Sequence, residues 1–295
     1  MTIQFHSCAS GGAPLSVTVR LARPRFMNLR EQLEKQLETA PETEINGVVS
    51  ASGVSGGSGA SPMDPWTLLV SFSGWKQREG VLQKSELTLR KDVAREEITR
   101  IQNRVRPFDV LRVRARLAEQ NVFGSPQALM TGSLEKEDSD GELLAYAREL
   151  QKPVTFRDQQ FGLFTLDRRV NWFESTTRWG RSQIRLTIDA KDSSAIEQSL
   201  AVARRLWASQ QAWEQRITDY ATGKLLPLKN DSWLNEDESE LTAPSFAKRM
   251  VLESITIRAG GGFEFWYNDG DLFWGHSIMV SGTLKEGPGH AGIEG

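Results

Sequence analysis

The sequence predicts an α+β protein in two halves: a small five-stranded β-barrel, then an antiparallel sheet packed on one long helix. Three observations predict it. Strict apolar/polar alternation through Leu111–Leu117 marks a half-buried strand, because successive strand side chains point to opposite faces. Apolar residues at helical spacing run from Ile196 to Tyr220. An aromatic hairpin, Phe263, Phe265, Trp266, Tyr267, Phe273 and Trp274, surrounds an Asn268–Asp271 turn.

Composition sets the bounds. A chain of 295 residues can bury two cores, and 39% hydrophobic with 25% charged residues is a globular balance. No apolar run approaches the roughly 20 residues of a membrane helix, so no membrane association is expected. The first residues lack a basic start followed by an apolar core, so no signal peptide is expected, and a cytoplasmic location follows. Cys8 is the single cysteine, which excludes an internal disulfide and a Cys-rich zinc site. The net charge of −2 is unevenly spread. Residues 76–116 hold twelve Lys/Arg against six Asp/Glu, whereas residues 230–295 hold eleven acids against four bases. Such asymmetry can steer a partner or dock one half on the other.

Residues 1–40 read as a strand at Leu15–Leu21 and a helix at Phe26–Glu38, unplaced in any larger architecture. The barrel, residues 41–138, reads as strands at Ile45–Ala51, Trp66–Trp75 and Val81–Leu89, a helix at Val93–Val105, and strands at Val110–Leu117 and Ala128–Leu134. Ser52–Ser61 is so rich in Gly and Ser that it reads as an unpacked loop. Three strands, a helix and two strands is the order of an OB-type barrel, which this half resembles by pattern. Residues 139–153 read as a helical connector, with a solvated Glu135–Gly141 leading into it and Ser139 or Asp140 capping a helix at Glu142–Leu150.

The second domain, residues 154–295, reads as strands at Val154–Arg157, Gly162–Asp167, Val170–Thr177 and Ser182–Ala190, then the long helix at Ser194–Ala221. Ser194 with Glu197 forms a capping box and Gly223 a C-cap in this reading. The helical stripe is interrupted around Gln210 and Gln211. A short helix at Pro244–Met250 and strands at Val251–Arg258, Phe263–Tyr267 and Leu272–Leu284 complete the half.

Several segments of this half are distinctive: Phe161–Phe173, Leu228–Trp233, Leu252–Ile257, Phe263–Ile278 and the tail Gly287–Gly295. On these, residues 152–295 resemble a bacterial family known as domain of unknown function 2262. The resemblance implies a bacterial, cytosolic protein and carries no activity with it.

The candidate residues each have a functional and a structural reading. His276 follows Asp269 and Asp271, and a carboxylate-held histidine can serve as a general base. Structurally, it would donate to a backbone carbonyl in a packed hairpin. Asn268–Asp271 offers oxygens for Ca²⁺ but lacks EF-hand spacing, and tight turns need Asp and Gly anyway, so no metal is expected. Arg112, Arg114 and Arg116 could meet nucleic-acid phosphates, with Trp66 and Phe72 stacking bases; a solvated face and a core pair account for them equally. Trp75 falls on the opposite face from that pair unless Gly74 resets the register. Trp266 and Trp274 are candidate anchors for a partner, since seven of the nine tryptophans follow residue 150 and any left exposed would be anchors. No nucleophile elbow, phosphate loop, dinucleotide fingerprint or zincin motif is present, and no cofactor is expected. The reading is a non-enzymatic binding module with a protein partner. Single-stranded nucleic-acid binding by the barrel and hydrolase chemistry at His276 are the alternatives.

Overall fold

A computed structural model describes residues 28–58 and 65–295. The expected strand at Leu15–Leu21 lies outside the described residues. The first half is built from α1 (Leu29–Thr39), β1 (Glu42–Ser58), β2 (Trp66–Gln77), β3 (Leu87–Val93), α2 (Arg95–Arg104), β4 (Val110–Ala118), β5 (Gln127–Met130) and β6 (Glu135–Lys136). Strand order β1-β2-β3-β5-β4, with β1 also pairing β4, closes a five-stranded barrel. β3 and β5 run parallel and the other barrel pairs antiparallel, and α2 joins β3 to β4. This is the expected OB-type arrangement. Ile45, Leu68, Val70, Phe72, Leu87, Leu89, Val113 and Ala115 belong to its core.

Two local expectations are overturned, and the open question at Trp75 is decided by a register shift. Ser52–Ser58 of the Gly/Ser segment is strand, pairing as far as Ser58 with Trp66. Glycine serves packing in β1: a Cβ at Gly56 would strike the Ile98 side chain of α2, and one at Gly47 would overlap the Phe72 ring. Residues 59–61 lie outside the described residues. The third strand starts at Leu87 rather than Val81, which is 78% exposed, because the chain first turns beyond Gln77. Trp75 shares the core with Phe72, since a register shift in the β1–β2 pair restores its inward direction.

Two helices brace the barrel from outside. α1 begins in a capping box at Asn28 and Glu31 and packs Leu33 and Leu37 against Ala118, with Leu129 beside them. α3 (Gly141–Gln151) is capped by Asp140 and lays Leu143 and Ala147 on Val48 and Val110. Lys76 of β2 holds the start of α3 through Asp140 and Glu142, each at 3.0 Å. The preceding acidic segment is not solvated throughout. Glu137 is buried, and hydrogen bonds from Ser139, with Arg112 nearby, hold its carboxyl below the usual carboxylate range.

The second half is one eight-stranded sheet: β7 (Thr155–Asp158), β8 (Gly162–Asp167), β9 (Trp172–Trp179), β10 (Ser182–Asp189), β11 (Val251–Ile257), β12 (Gly262–Asn268), β13 (Ser277–Thr283) and β14 (Gly287–Glu294). Strands are neighbours in chain order, and β10–β11 is the one parallel pair among them. It is parallel because the chain between crosses over through α4 (Ser193–Ala208), α5 (Gln210–Ser232) and α6 (Ala243–Arg249). Ile184, Leu186, Ile188, Ile255, Phe265 and Val280 of the sheet join Leu200, Ala203, Leu206, Ile217 and Ala221 of the helices in one core.

The single long helix expected here is two helices meeting at Ser209, and the second runs on to Ser232. Gly223 is therefore not a C-cap but an exposed mid-helix residue, and Trp233 takes the cap position. Asp192, not Ser194, caps α4 by accepting from the Ala195 amide at 2.8 Å. Thr242 caps α6 with Pro244 in its first turn. The last expected strand starts at Ser277 rather than Leu272, and the Gly-rich tail is itself strand β14. Glycine permits that pairing, because a Cβ at Gly282 would collide with the Gly287 backbone. Among the described residues, no helix is long and apolar enough to cross a membrane.

Candidate functional site

The most unusual piece of backbone joins β12 to β13. Asn268 opens it by accepting from the Gly270 amide at 3.0 Å. Asp269 is 1% exposed and turns its carboxylate onto the loop itself, accepting from the amides of Phe273 (2.6 Å), Gly275 (3.3 Å) and Asp271 (3.3 Å). Leu272 and Phe273 insert into the core. With these anchors set, the next residue is thrown outward. Trp274 is 59% exposed and adopts φ = 56°, a left-handed conformation rare for a bulky side chain.

A second segment meets this loop. Trp233, at the end of α5, lies 4.6 Å from Trp274 in a tilted pair, 5.5 Å from Phe273 edge-on and 5.6 Å from the His276 ring. Its position is fixed from below. The fully buried Lys229 donates to the Trp233 carbonyl and to Glu238, both at 2.6 Å, and Arg249 of α6 reaches the other Glu238 oxygen at 2.8 Å. The Lys229 hydrogen bond, aided by Arg249, holds the Glu238 carboxyl below the usual carboxylate range. Asn230 ties the same acidic segment down by bonding both backbone groups of Leu241. Two of the distinctive segments, Leu228–Trp233 and Phe263–Ile278, thus converge on one corner.

His276 belongs to this corner in its structural reading. Its Nδ1 lies 2.6 Å from the Phe273 carbonyl oxygen. A carbonyl only accepts, so Nδ1 carries the hydrogen and Nε2 of the neutral ring is left as an acceptor. Neither Asp269 nor Asp271 is brought into hydrogen bonding with His276. Asp269 is committed to backbone amides, and Asp271 is exposed on the turn. The carboxylate–histidine pairing expected for a general base is absent among the described residues. Nor do they include a group of three or more His, Cys, Asp or Glu able to hold a metal ion.

The barrel candidates do not form one surface. Arg112 is bound to Glu135 at 3.0 Å and Glu137 at 3.4 Å; the Glu135 hydrogen bond is the main upward influence on its already high pKa. Arg116 donates to the Glu38 carbonyl at the end of α1. Arg114 is exposed between them. Phe72 is fully buried, and half-buried Trp66 lies under Arg95 at 5.1 Å, so the two make no stacking platform. Trp266 faces the side of the sheet opposite Phe265 and Tyr267, where its indole donates to Glu264, and it makes no ring contact with Trp274 among the described residues. Sequence reasoning missed Trp233, Lys229 and Glu238. A tryptophan four residues after a lysine, just ahead of an acidic run, is the one signal that could have found them.

The comparisons with known proteins divide at the same place as the fold. Residues 158–293 match the family described as "Uncharacterized protein conserved in bacteria", domain of unknown function 2262. Residues 30–150 match a second family, domain of unknown function 7021. No curated protein matches the chain. The Trp233–Trp274 corner lies wholly within the segment matching domain 2262, and the barrel within the segment matching domain 7021. Neither description names an activity.

Proposed function

We propose that this chain is a non-enzymatic binding protein of the bacterial cytoplasm, and that it holds a protein partner at the Trp233–Trp274 corner. The observation that carries this reading is Trp274, a large aromatic side chain kept 59% exposed by a left-handed backbone and a buried carboxylate. Left to local energetics, such a residue would turn inward; strain retained at an exposed aromatic points to use. Acidic side chains flank the corner in the chain, with Asp231, Glu236 and Asp237 around Trp233 and Asp271 before Trp274. That chemistry favours a basic partner segment, whose Lys or Arg would lie over the indoles and meet the carboxylates at the rim.

The alternatives draw less support. Two of the three stripe arginines on the barrel are already engaged, and the His276 Nδ1 is used by a backbone carbonyl. The test is quantitative affinity capture from the native host with wild-type, Trp274→Ala and Arg114→Glu baits. A specific partner should fall at least tenfold with Trp274→Ala and stay with Arg114→Glu. The opposite pattern, or any turnover abolished by His276→Ala, would overturn the reading.

A further inference from the structure

A cleft of ≈ 470 Å³ opens where the barrel meets the second half, with one wall from each. That volume falls within the roughly 300–1,000 Å³ of small-molecule sites. The barrel wall is built on an irregularity of β1. Val49 pairs with Phe72 and Val54 with Val70, so residues 50–53 bulge out opposite Ser71 alone. Ser50 and Ser52 of this bulge line the cleft. The loop before β4 braces it: the Phe108 amide donates to the Val49 carbonyl, and the Val49 amide to the Asp109 carbonyl, both at 2.9 Å. Phe108 lines the cleft at φ = 68°, an outlier for a bulky residue. The facing wall is the turn between β8 and β9, residues 168–171, where Asn171 sits at φ = 56°. Two of the four non-glycine residues with positive φ among the described residues therefore line this cleft, and the other two belong to the Trp274 loop.

Its polar groups are unevenly committed. Lys84, Arg168 and Arg169 line the cleft against one acid, Glu86. Arg169 is held by Asp167 at 2.5 Å. Arg168 is half-buried and makes no ion pair or hydrogen bond among the described residues, and Lys84 has the Tyr146 ring, at 5.4 Å. These two cations converge from opposite walls. Beside the main effect of Lys152, both help to hold the Glu149 carboxyl of α3 below the usual carboxylate range. Ser50 is 9% exposed, and its Oγ lies 2.7 Å from the Ser52 Oγ. One hydrogen bond between two hydroxyls uses one hydrogen and leaves the other to donate. Phe108, Leu150, Leu166 and Val170 add an apolar floor, with Val170 50% exposed.

We propose that this cleft binds a small organic phosphate monoester, with Lys84 and Arg168 taking the phosphate from opposite walls, the Ser50–Ser52 pair donating to one of its oxygens, and the organic part lying on Phe108, Leu166 and Val170. A phosphate monoester carries close to two charges and three strong acceptor oxygens, which matches two cations and a hydroxyl donor together. A carboxylate has one charge and two oxygens, and would leave one cation unmatched. A bare inorganic anion would leave the apolar floor uncovered.

The experiment is calorimetric titration of the full chain with AMP and glucose 6-phosphate, using adenosine, glucose and inorganic phosphate as controls. Saturable binding of at least one monoester is expected, at least tenfold tighter than its uncharged parent and than inorganic phosphate. Arg168→Ala and Lys84→Ala should each weaken it at least tenfold, and Ser50→Ala several-fold. Arg114→Ala, which removes an exposed arginine elsewhere on the barrel, should bind as wild type. No saturable monoester binding, equal affinity for the uncharged parent, inorganic phosphate binding as tightly (an adventitious ion only), unaltered binding by Arg168→Ala, or a matching loss in Arg114→Ala would each overturn the proposal. Trp274→Ala should leave monoester binding unchanged, so this site and the partner corner can fail separately.

Discussion

Replacing Asp269 by alanine should cost the second half about 3 kcal/mol. Its carboxylate is 1% exposed and accepts three backbone amides within six residues of chain. A hydrogen bond to a charged acceptor contributes roughly 1.5–3 kcal/mol, and the 2.6 Å bond from Phe273 is of that kind. The two bonds at 3.3 Å are long, and together they add roughly 1 kcal/mol. Asp269→Asn keeps one acceptor oxygen and should lose about half as much. Urea unfolding followed by tryptophan emission suits the measurement, since seven of nine tryptophans lie in this half. Amide exchange at Phe273 and Gly275 should accelerate in step with the loss. A cost below about 1 kcal/mol, or unchanged exchange at Phe273, would refute the claim that Asp269 fixes the loop that presents Trp274.

Neighbouring contacts can be tested in the same way. Glu238→Gln strands the buried Lys229 cation and should cost roughly 3–5 kcal/mol, whereas Lys229→Met, which leaves Glu238 with Arg249, should cost clearly less in the same urea assay. Because the folded Glu238 carboxyl titrates below its ordinary value of 4.5, its contribution is present above that pH and is lost as pH falls through the lower folded value; wild-type acid unfolding should be steeper than that of Glu238→Gln. Trp274→Gly removes a strain of roughly 1–3 kcal/mol against a ring pair of roughly 0.5–1.5, so chemical denaturation should show stability within about 1 kcal/mol of wild type while partner capture is lost. Gly47→Ala drives a methyl group into the Phe72 ring and should lower the barrel's stability by roughly 2 kcal/mol or more, measured by thermal melting of the full chain.

The legible parts of the fold are those with local periodicity. β4 is readable because Leu111, Val113, Ala115 and Leu117 alternate with three arginines, and β8 because its ends are marked by Gly162 and Asp167. Strand order then carries the barrel, whose closure between β1 and β4 is a long-range pairing that the order implies. The failures have a common cause. Composition marks Gly56, Gly223 and Gly287 as a loop, a cap and a tail, yet two of them sit in strands and one inside α5. At Gly56 the missing Cβ makes room for Ile98, and at Gly287 for the Arg216 guanidinium. Such needs depend on tertiary approach and leave no trace in the local sequence. Glu238 fails for the same reason: in an acidic run it resembles its solvated neighbours, and only the buried Lys229 nine residues earlier distinguishes it.

The interruption at Gln210 and Gln211 carries the larger lesson about the site. As a lapse in an apolar stripe it looks like a defect; it is the start of a polar stripe, continued by Glu214, Thr218 and Thr222 along the wall of a second cleft, between α5 and α6. An amphipathic helix that only packed a core would keep its inward face apolar for its whole length. α5 instead carries an apolar line, Ile217, Ala221 and Leu225, beside the polar stripe at the cleft, and its buried face then ends on Lys229, which seats Trp233. Its hydrophobic periodicity is weak because one helix serves three different surroundings. The same weakness that hides its boundaries in the sequence places the cleft and the tryptophan corner on one continuous element.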